Sequence, residues 1–200
     1  MKRLAVAVLL CLGGCDEETG DALPEGRATD SLTAVENSIY AMVVDSFGGV
    51  PDTASYLVVL RESLVATPSD TTFVTPDSVV SAVAVRAYLQ ANLDTAYWTE
   101  RTFDLGLPDS IIPQRTLDSM ASPTWMDFWP NFHQRFAGAN GYHAFSRIGF
   151  NADSTAGILT YQHCYGSLGA DMLTLSAAWD GQQWRVHRVY RWIVAKRRAL

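Results

Sequence analysis

The sequence ADMLTLSAAWDGQQWRVHRVYRWIV, residues 170–194, decides the fold because it is typical of two β-strands joined by a tight turn. Asp180-Gly181 is a favoured dipeptide for a two-residue hairpin turn, and this turn favours strand over helix for the residues that follow. One face of the second strand is apolar and consists of Trp184, Val186, Tyr190, Trp192 and Val194. Arg188 shares that face, so we expect it to be an inward-facing cation beside Tyr190.

Two further segments with a period of two precede this hairpin. They are HAFSRIGFN, residues 143–151, and TAGILTYQHCYG, residues 155–166, and each ends in residues that favour turns. Four consecutive strands with short connections predict an antiparallel β-meander.

The residues before the meander show mainly helical spacing. Apolar residues recur every three or four positions over 31–47, with Asp30 or Ser31 as the N-cap and Gly48-Gly49 as the stop. A short strand is predicted over 55–63, and a second helix over 76–93, with Thr75 as its N-cap.

An aromatic helix is predicted to follow Ser122, and Pro130 should kink or divide it. Residues 95–121 show no clear order beyond short β-rich runs around Phe103 and Ile111. Helices followed by strands predict an α+β fold, in which N-terminal helices pack on one face of the four-stranded meander.

The N-terminus carries a different signal. Lys2 and Arg3 precede an apolar run over 4–12, which is too short for a transmembrane helix, and small residues follow it. Leu12-Gly13-Gly14-Cys15 resembles the lipobox of bacterial lipoproteins. That resemblance implies a signal peptide over residues 1–15, with Cys15 acylated, as with palmitate, and cleavage after Gly14. An ordinary signal peptide without lipid and a buried N-terminal helix are the alternatives.

Composition divides the remainder into an acidic tether over 16–30 and a single domain over 31–200. The formal net charge of the chain is −6, and it becomes more negative if Lys2 and Arg3 are removed. We therefore expect no nucleic-acid partner. Residues 185–200 are basic and contain no acid, which favours either a solvated end or contact with anionic lipid.

No metal-binding or cofactor-binding motif is recognised, so no metal and no cofactor are predicted. Cys164 is the only cysteine after Cys15, and we expect a buried structural thiol. His163 precedes it, but neighbouring residues of a strand point to opposite faces, so the two cannot form a catalytic dyad.

Four residues remain as candidates for chemistry: His163 and His187 as a general base, and Arg147 and Arg188 as an anion site. A structural ion pair with an acid such as Asp127 or Asp171, or a side chain that extends to solvent at the edge of the sheet, is the alternative for the arginines.

Two resemblances concern the C-terminal half. The stretch FSRIGFNADSTAGILTYQHCYGSLG, followed by AAWDGQQWRVHRVYRWIV, resembles an uncharacterised group of bacterial exported proteins and implies no activity. Helices followed by a meander that ends in DGQQWRVHRVYRW are similar to the cone-like α+β fold of nuclear-transport-factor and ketosteroid-isomerase-like domains. Fold analogy alone does not imply a function.

The sequence therefore predicts a lipid-anchored protein, exported to the periplasmic or surface side of a bacterial cell or outer membrane. Its domain is expected to be non-catalytic and to bind a protein or a small molecule of the cell envelope. The alternative is a pocket enzyme, an isomerase or hydrolase, that uses the histidine base and the arginine anion site.

Overall fold

The computed structural model of the chain describes residues 33–48, 56–66, 73–95, 98, 103–105, 107–121, 124–166 and 169–196. The predicted signal peptide over 1–15 and the tether over 16–30 lie outside these ranges. So do residues 197–200, the end of the basic segment 185–200. Within them, no helix is long and apolar enough to cross a membrane.

Helices and strands alternate in the first half of the chain, and strands dominate the second. The helices are α1 Ala34–Phe47, α2 Ala82–Ala91, α3 Gln114–Met120 and α4 Phe128–Arg135. The strands are β1 Leu57–Leu60, β2 Asp109–Ile112, β3 Tyr142–Phe145, β4 Gly149–Phe150, β5 Ala156–Cys164, β6 Gly169–Trp179 and β7 Trp184–Lys196.

The strands form one mixed sheet, so the α+β prediction is confirmed. The sheet has the order β2-β1-β3-β5-β6-β7, and β4 pairs with β5 beside this path. Strand β1 runs parallel to both β2 and β3, while the other pairs are antiparallel. The sheet is thus wider than the four predicted strands, because β1 and β2 extend it.

The predicted strand over 143–151 is divided into β3 and β4. Between them, the Ser146 hydroxyl accepts a hydrogen bond from the backbone N–H of Thr160 at 2.7 Å. The Ser146 hydroxyl therefore takes the place of a backbone carbonyl as the acceptor. Regular pairing with β5 is interrupted between β3 and β4, while β5 itself continues.

Helix α1 confirms the first helical prediction, with a different N-cap. Thr33 caps the helix and forms a capping box with Glu36, whereas Asp30 or Ser31 was expected. The helix ends at Gly48, as the glycine pair indicated. The reciprocal Thr33 and Glu36 bonds explain why the helix begins there.

Helix α2 begins six residues later than the Thr75 and Pro76 signal predicted. Ser81 is the N-cap, and its hydroxyl accepts from the N–H of Ala84. Asp77 instead caps the preceding turn, since its carboxylate accepts from the N–H groups of Val79 and Val80 at 2.8 Å each. A capping side chain was present, but it stabilises a turn rather than a helix.

The region without a clear pattern, 95–121, contains β2 and the short helix α3. In the aromatic segment, a 3-10 turn over Trp125–Asp127 precedes α4. Pro130 lies in the first turn of α4, where a backbone N–H has no partner within the helix. Helix α4 therefore begins two residues before Pro130 and continues past it to Arg135, so the proline does not divide this helix.

Helices cover both faces of the sheet, and the expectation of one covered face is wrong. Alternate strand residues separate the two sides: Val59 packs with α1, whereas Val58 packs with α3 and α4. Helix α2 covers the same side as α3 and α4, over Ile158. The long apolar run of β5 is explained by burial on both faces.

Candidate functional site

Two buried imidazoles lie side by side on the α1 face of the sheet. His143 of β3 and His163 of β5 are directly opposite each other in the antiparallel pairing. Their ring centroids are 4.4 Å apart, and the ring planes differ by 8°. Both residues are almost fully buried, at 1% and 2% exposure.

Each imidazole has a fixed hydrogen-bond partner. The Tyr161 hydroxyl lies 2.8 Å from Nδ1 of His143. Nε2 of His163 donates to the carbonyl oxygen of Asn140 at 2.8 Å, so this nitrogen carries the proton in the neutral ring. The end of α1 lies close to Tyr161. A Cβ atom at Gly48 would be only 3.2 Å from the tyrosine hydroxyl oxygen.

The surroundings keep both rings neutral near pH 7. Burial, with a smaller contribution from His163, lowers the pKa of His143 from 6.5 to about 3. Burial also lowers the pKa of His163, although the Asn140 carbonyl and the Asp171 carboxylate oppose this. A general base works best with a pKa near the working pH, so this pair is better suited to structure than to proton transfer.

His187 and Arg188 lie together on the other side of the sheet, next to Asp77. Nε2 of His187 is 3.0 Å from a carboxylate oxygen of Asp77, and a guanidinium nitrogen of Arg188 is 3.8 Å from the same oxygen. The N–H groups of Val80 and Val79, together with His187, lower the pKa of Asp77 to about 2. This is an ion-pair cluster at the turn before α2.

The expectation that Arg188 faces the interior is wrong. Its side chain is 52% exposed, and its guanidinium lies 5.3 Å from the centre of the Tyr190 ring. The pairing of β6 with β7 shifts between Thr174 and Leu175, and again between Ser176 and Ala177. Each irregularity changes which residues of β7 face inward, so strict alternation along the sequence fails there.

Arg147 lies at a third place, the start of α1. Its guanidinium is 3.6 Å from the Glu36 carboxylate and 5.4 Å from the centre of the Trp98 ring. Glu36 is the acid of the capping box, so Arg147 holds the N-terminus of α1 against the loop between β3 and β4. The alternative of a structural ion pair therefore holds for Arg147, with Glu36 as the acid and not Asp127 or Asp171, the acids given as examples.

The structure thus brings His187 and Arg188 together and places His163 and Arg147 elsewhere. Cys164 is buried on the sheet face opposite His163, and its sulfur accepts from the Gln162 carboxamide at 3.1 Å. Within the described ranges, no group of three His, Cys, Asp or Glu side chains is arranged to hold a metal ion.

A surface groove of about 460 Å³ runs between α1 and the turn that joins β6 to β7; we call it the hairpin groove. Trp179 and Trp184 line its hairpin side, with ring centroids 5.9 Å apart and planes 58° apart. Trp179 is 44% exposed, whereas Trp184 is 9% exposed. Met42 and Asp45 lie on its helix side.

Local bonds hold the hairpin side of this groove in place. The Asp180 carboxylate accepts from the N–H groups of Gln182 and Gln183 at 2.9 Å each, and it forms an ion pair with Arg185. Gly181 has a φ of 98°, a conformation that favours glycine. Trp179 is therefore presented on a braced turn.

No sequence pattern had predicted the hairpin groove. Trp179 and Trp184 were interpreted only as strand residues, and the predicted two-residue turn at Asp180-Gly181 would have paired Trp179 with Gln182. The observed loop has four residues, Asp180 to Gln183, and it makes the two tryptophans cross-strand neighbours. On α1, the groove residues Ser38, Met42 and Asp45 recur at helical spacing on a polar face. The two tryptophans near the turn and these residues of α1 are the sequence features from which a groove could have been predicted.

The chain was compared with protein-family models, with curated proteins and with solved structures. No match was found in any of the three comparisons.

Proposed function

We propose that this chain is a lipid-anchored protein of the bacterial cell envelope whose domain is a non-catalytic binding module, with the hairpin groove as its binding surface. The observation that carries the binding role is the large exposed indole of Trp179, held on a braced turn at the edge of a groove. Exposed aromatic side chains beside a concavity are typical of recognition sites.

The membrane anchor in this proposal rests on the sequence. Lys2 and Arg3, the short apolar run and Leu12-Gly13-Gly14-Cys15 support export, cleavage and acylation at Cys15. Acyl chains contribute about 0.8 kcal/mol of membrane affinity per buried methylene, and two chains anchor a protein stably. The acidic residues 16–30 then act as a tether between the membrane and the domain.

The enzyme alternative has less support. A pocket enzyme would need its base and its anion site to converge on one cavity. His163 is held in the imidazole pair, Arg147 is paired with Glu36, and His187 and Arg188 adjoin Asp77. These positions favour structural roles.

The cone-like, four-stranded meander is the finer part of the fold proposal. Its support is the consecutive antiparallel pairing of β5, β6 and β7, and the two irregularities between β6 and β7. Such bulges bend and twist strands, which is how a sheet curves. A crystal structure in which these strands are flat would contradict this part.

Site-specific photo-crosslinking in living cells tests the binding role. A photoreactive aromatic amino acid replaces Trp179 in one strain and Leu93 in the control strain, because Leu93 is 67% exposed and does not line the groove. We expect an adduct of defined mass from position 179 and none from position 93. Equal labelling at both positions, or none at either, would contradict the proposal.

A further inference from the structure

The hairpin groove has the chemistry of a carbohydrate site. From its side chains we infer that it binds a neutral oligosaccharide, with a sugar ring stacked on Trp179. This inference rests on the proposed function, because it names the ligand class for the same groove. Four features of the groove support this inference: its aromatic surface, the polar groups around that surface, the charge of the groove and its openness to solvent.

The aromatic surface of the groove is the exposed indole of Trp179. The face of an indole carries negative charge density, and the face of a pyranose ring presents C–H bonds with positive character. Trp179 is 44% exposed, and its backbone N–H donates to the Thr155 carbonyl at 2.8 Å, which fixes the end of β6. A rigid, exposed indole offers a large contact area and loses little conformational entropy on binding.

The polar groups around the indole match sugar hydroxyls. Gln182 and Gln183 on the turn and Asp45 on α1 are exposed and line the groove. A carboxamide both donates and accepts, and a carboxylate accepts from two hydroxyls. Ser38 and Ser46 add two hydroxyl oxygens on the helix side. The Ser38 hydroxyl donates to the Ala34 carbonyl and the Ser46 hydroxyl to the Met42 sulfur, so both oxygens can accept from a sugar hydroxyl. Such groups satisfy hydroxyls that point outward from a stacked ring.

The charge of the groove disfavours anionic ligands. Among the residues that the structure describes, no basic side chain lines the groove, and Asp45 contributes a negative charge. These residues offer a phosphate or sulfate group no cationic partner, whereas anion sites normally use arginine, lysine or a helix N-terminus.

Its openness disfavours an apolar ligand or an extended peptide. Apolar small molecules are bound by sites that enclose most of their surface, and Trp179 is instead exposed at the rim. A peptide that adds a strand needs a free sheet edge, but this groove lies between α1 and a turn. A neutral oligosaccharide fits an open groove because only one ring face and some hydroxyls need contact.

Binding to defined oligosaccharides tests the inference. The full lipoprotein is purified in a zwitterionic detergent without a sugar headgroup, and titrated with chitotetraose and with cellotetraose. Tryptophan fluorescence and calorimetry report binding. We expect at least one of the two sugars to bind, and Trp179→Ala to weaken that binding by about tenfold or more.

Two further variants make the result specific. Asp45→Asn removes a charge without changing shape, and we expect it to weaken sugar binding by several-fold. Met126→Ala is the control, because Met126 is 88% exposed and does not line the groove, and its affinity should equal that of the wild type. Near-UV circular dichroism shows whether each variant keeps its tertiary packing.

Lack of binding by both sugars at millimolar concentration would overturn the inference. So would binding that Trp179→Ala leaves unchanged, or tighter binding to a proline-rich or cationic peptide. If sugars do not bind but position 179 still gives a specific crosslink in cells, only the ligand class is wrong. If neither occurs, the proposed binding role fails as well.

Discussion

At the scale of single residues, the histidine pair shows how position changes chemistry. From the sequence, His163 was a candidate base, whereas His143 was not among the candidate residues. Pairing of β3 with β5 stacks the two rings and buries them beside Tyr161. No local pattern indicates this, because the two residues are brought together by strand register alone.

This burial predicts a loss of stability in mild acid. The folded His143 has a pKa near 3, whereas an unfolded histidine titrates near 6.5. Between these values the unfolded state binds more protons, so stability falls as the pH is lowered, by about 1 kcal/mol per pH unit for one group. Urea denaturation of the wild type and of His143→Gln between pH 6.5 and 4.5 measures the slope.

The test compares how steeply the free energy of unfolding changes with pH in the two proteins, and not their stability at a single pH. His143→Gln removes one titrating group, so its stability should depend less steeply on pH. The lowered pKa values of Asp77 and Asp180, about 2 each, affect stability mainly below about pH 5 and equally in both proteins, so they do not alter the difference between the two slopes. An identical slope in both proteins would show that His143 is not held neutral by the fold.

The two tryptophans of the hairpin provide a second residue-scale test. Trp184 is 9% exposed and packs on Phe150 in the core of the α1 face, whereas Trp179 is 44% exposed. Trp184→Ala should destabilise the protein by about 3–5 kcal/mol, and Trp179→Ala by about 1 kcal/mol or less. Thermal and chemical unfolding measure both, and equal losses would mean that the faces of β7 are assigned incorrectly.

At the scale of elements, prediction succeeded where the signal was local. The hairpin at Asp180-Gly181, the end of α1 before Gly48 and the inward position of Trp184 were all indicated by neighbouring residues. The hairpin loop has four residues, Asp180 to Gln183, and not the two that were predicted. Prediction failed where two local signals competed, as when Asp77 capped a turn and α2 began only at Ala82, after its N-cap Ser81. The bulges of β7 also carry no sequence signal, so Arg188 was placed on the wrong face.

The contact between α2 and β4 gives a test of element packing. A Cβ at Gly149 would lie 2.0 Å from the backbone nitrogen of Tyr88, so helix and strand could not remain this close. A Cβ at Gly157 would mainly meet side-chain atoms of Ile148 and Phe150, which can move. Gly149→Ala should therefore cost about 3 kcal/mol and Gly157→Ala about 1 kcal/mol.

Urea denaturation of the two alanine variants measures the difference. A cost for Gly149→Ala no larger than that for Gly157→Ala would contradict the close packing of α2 on β4.

At the scale of the whole molecule, fold class was predictable but topology was not. Helical spacing followed by period-two segments indicates α+β, and the structure confirms it. The parallel pairing of β1 with β2 and β3 joins segments far apart in the chain. Such pairing depends on tertiary contacts, as does the covering of both sheet faces. The hairpin groove likewise exists only once α1 packs beside the β6–β7 turn.

The envelope location is the premise of the whole account, and it depends on Cys15. Intact-mass spectrometry of the protein purified from bacterial membranes tests this most directly, with Cys15→Ala as the control. We predict a mature chain that begins at Cys15 and carries the mass of attached acyl chains, and a variant that carries none. A wild-type chain that begins at another residue, or has no added acyl mass at Cys15, would contradict the account.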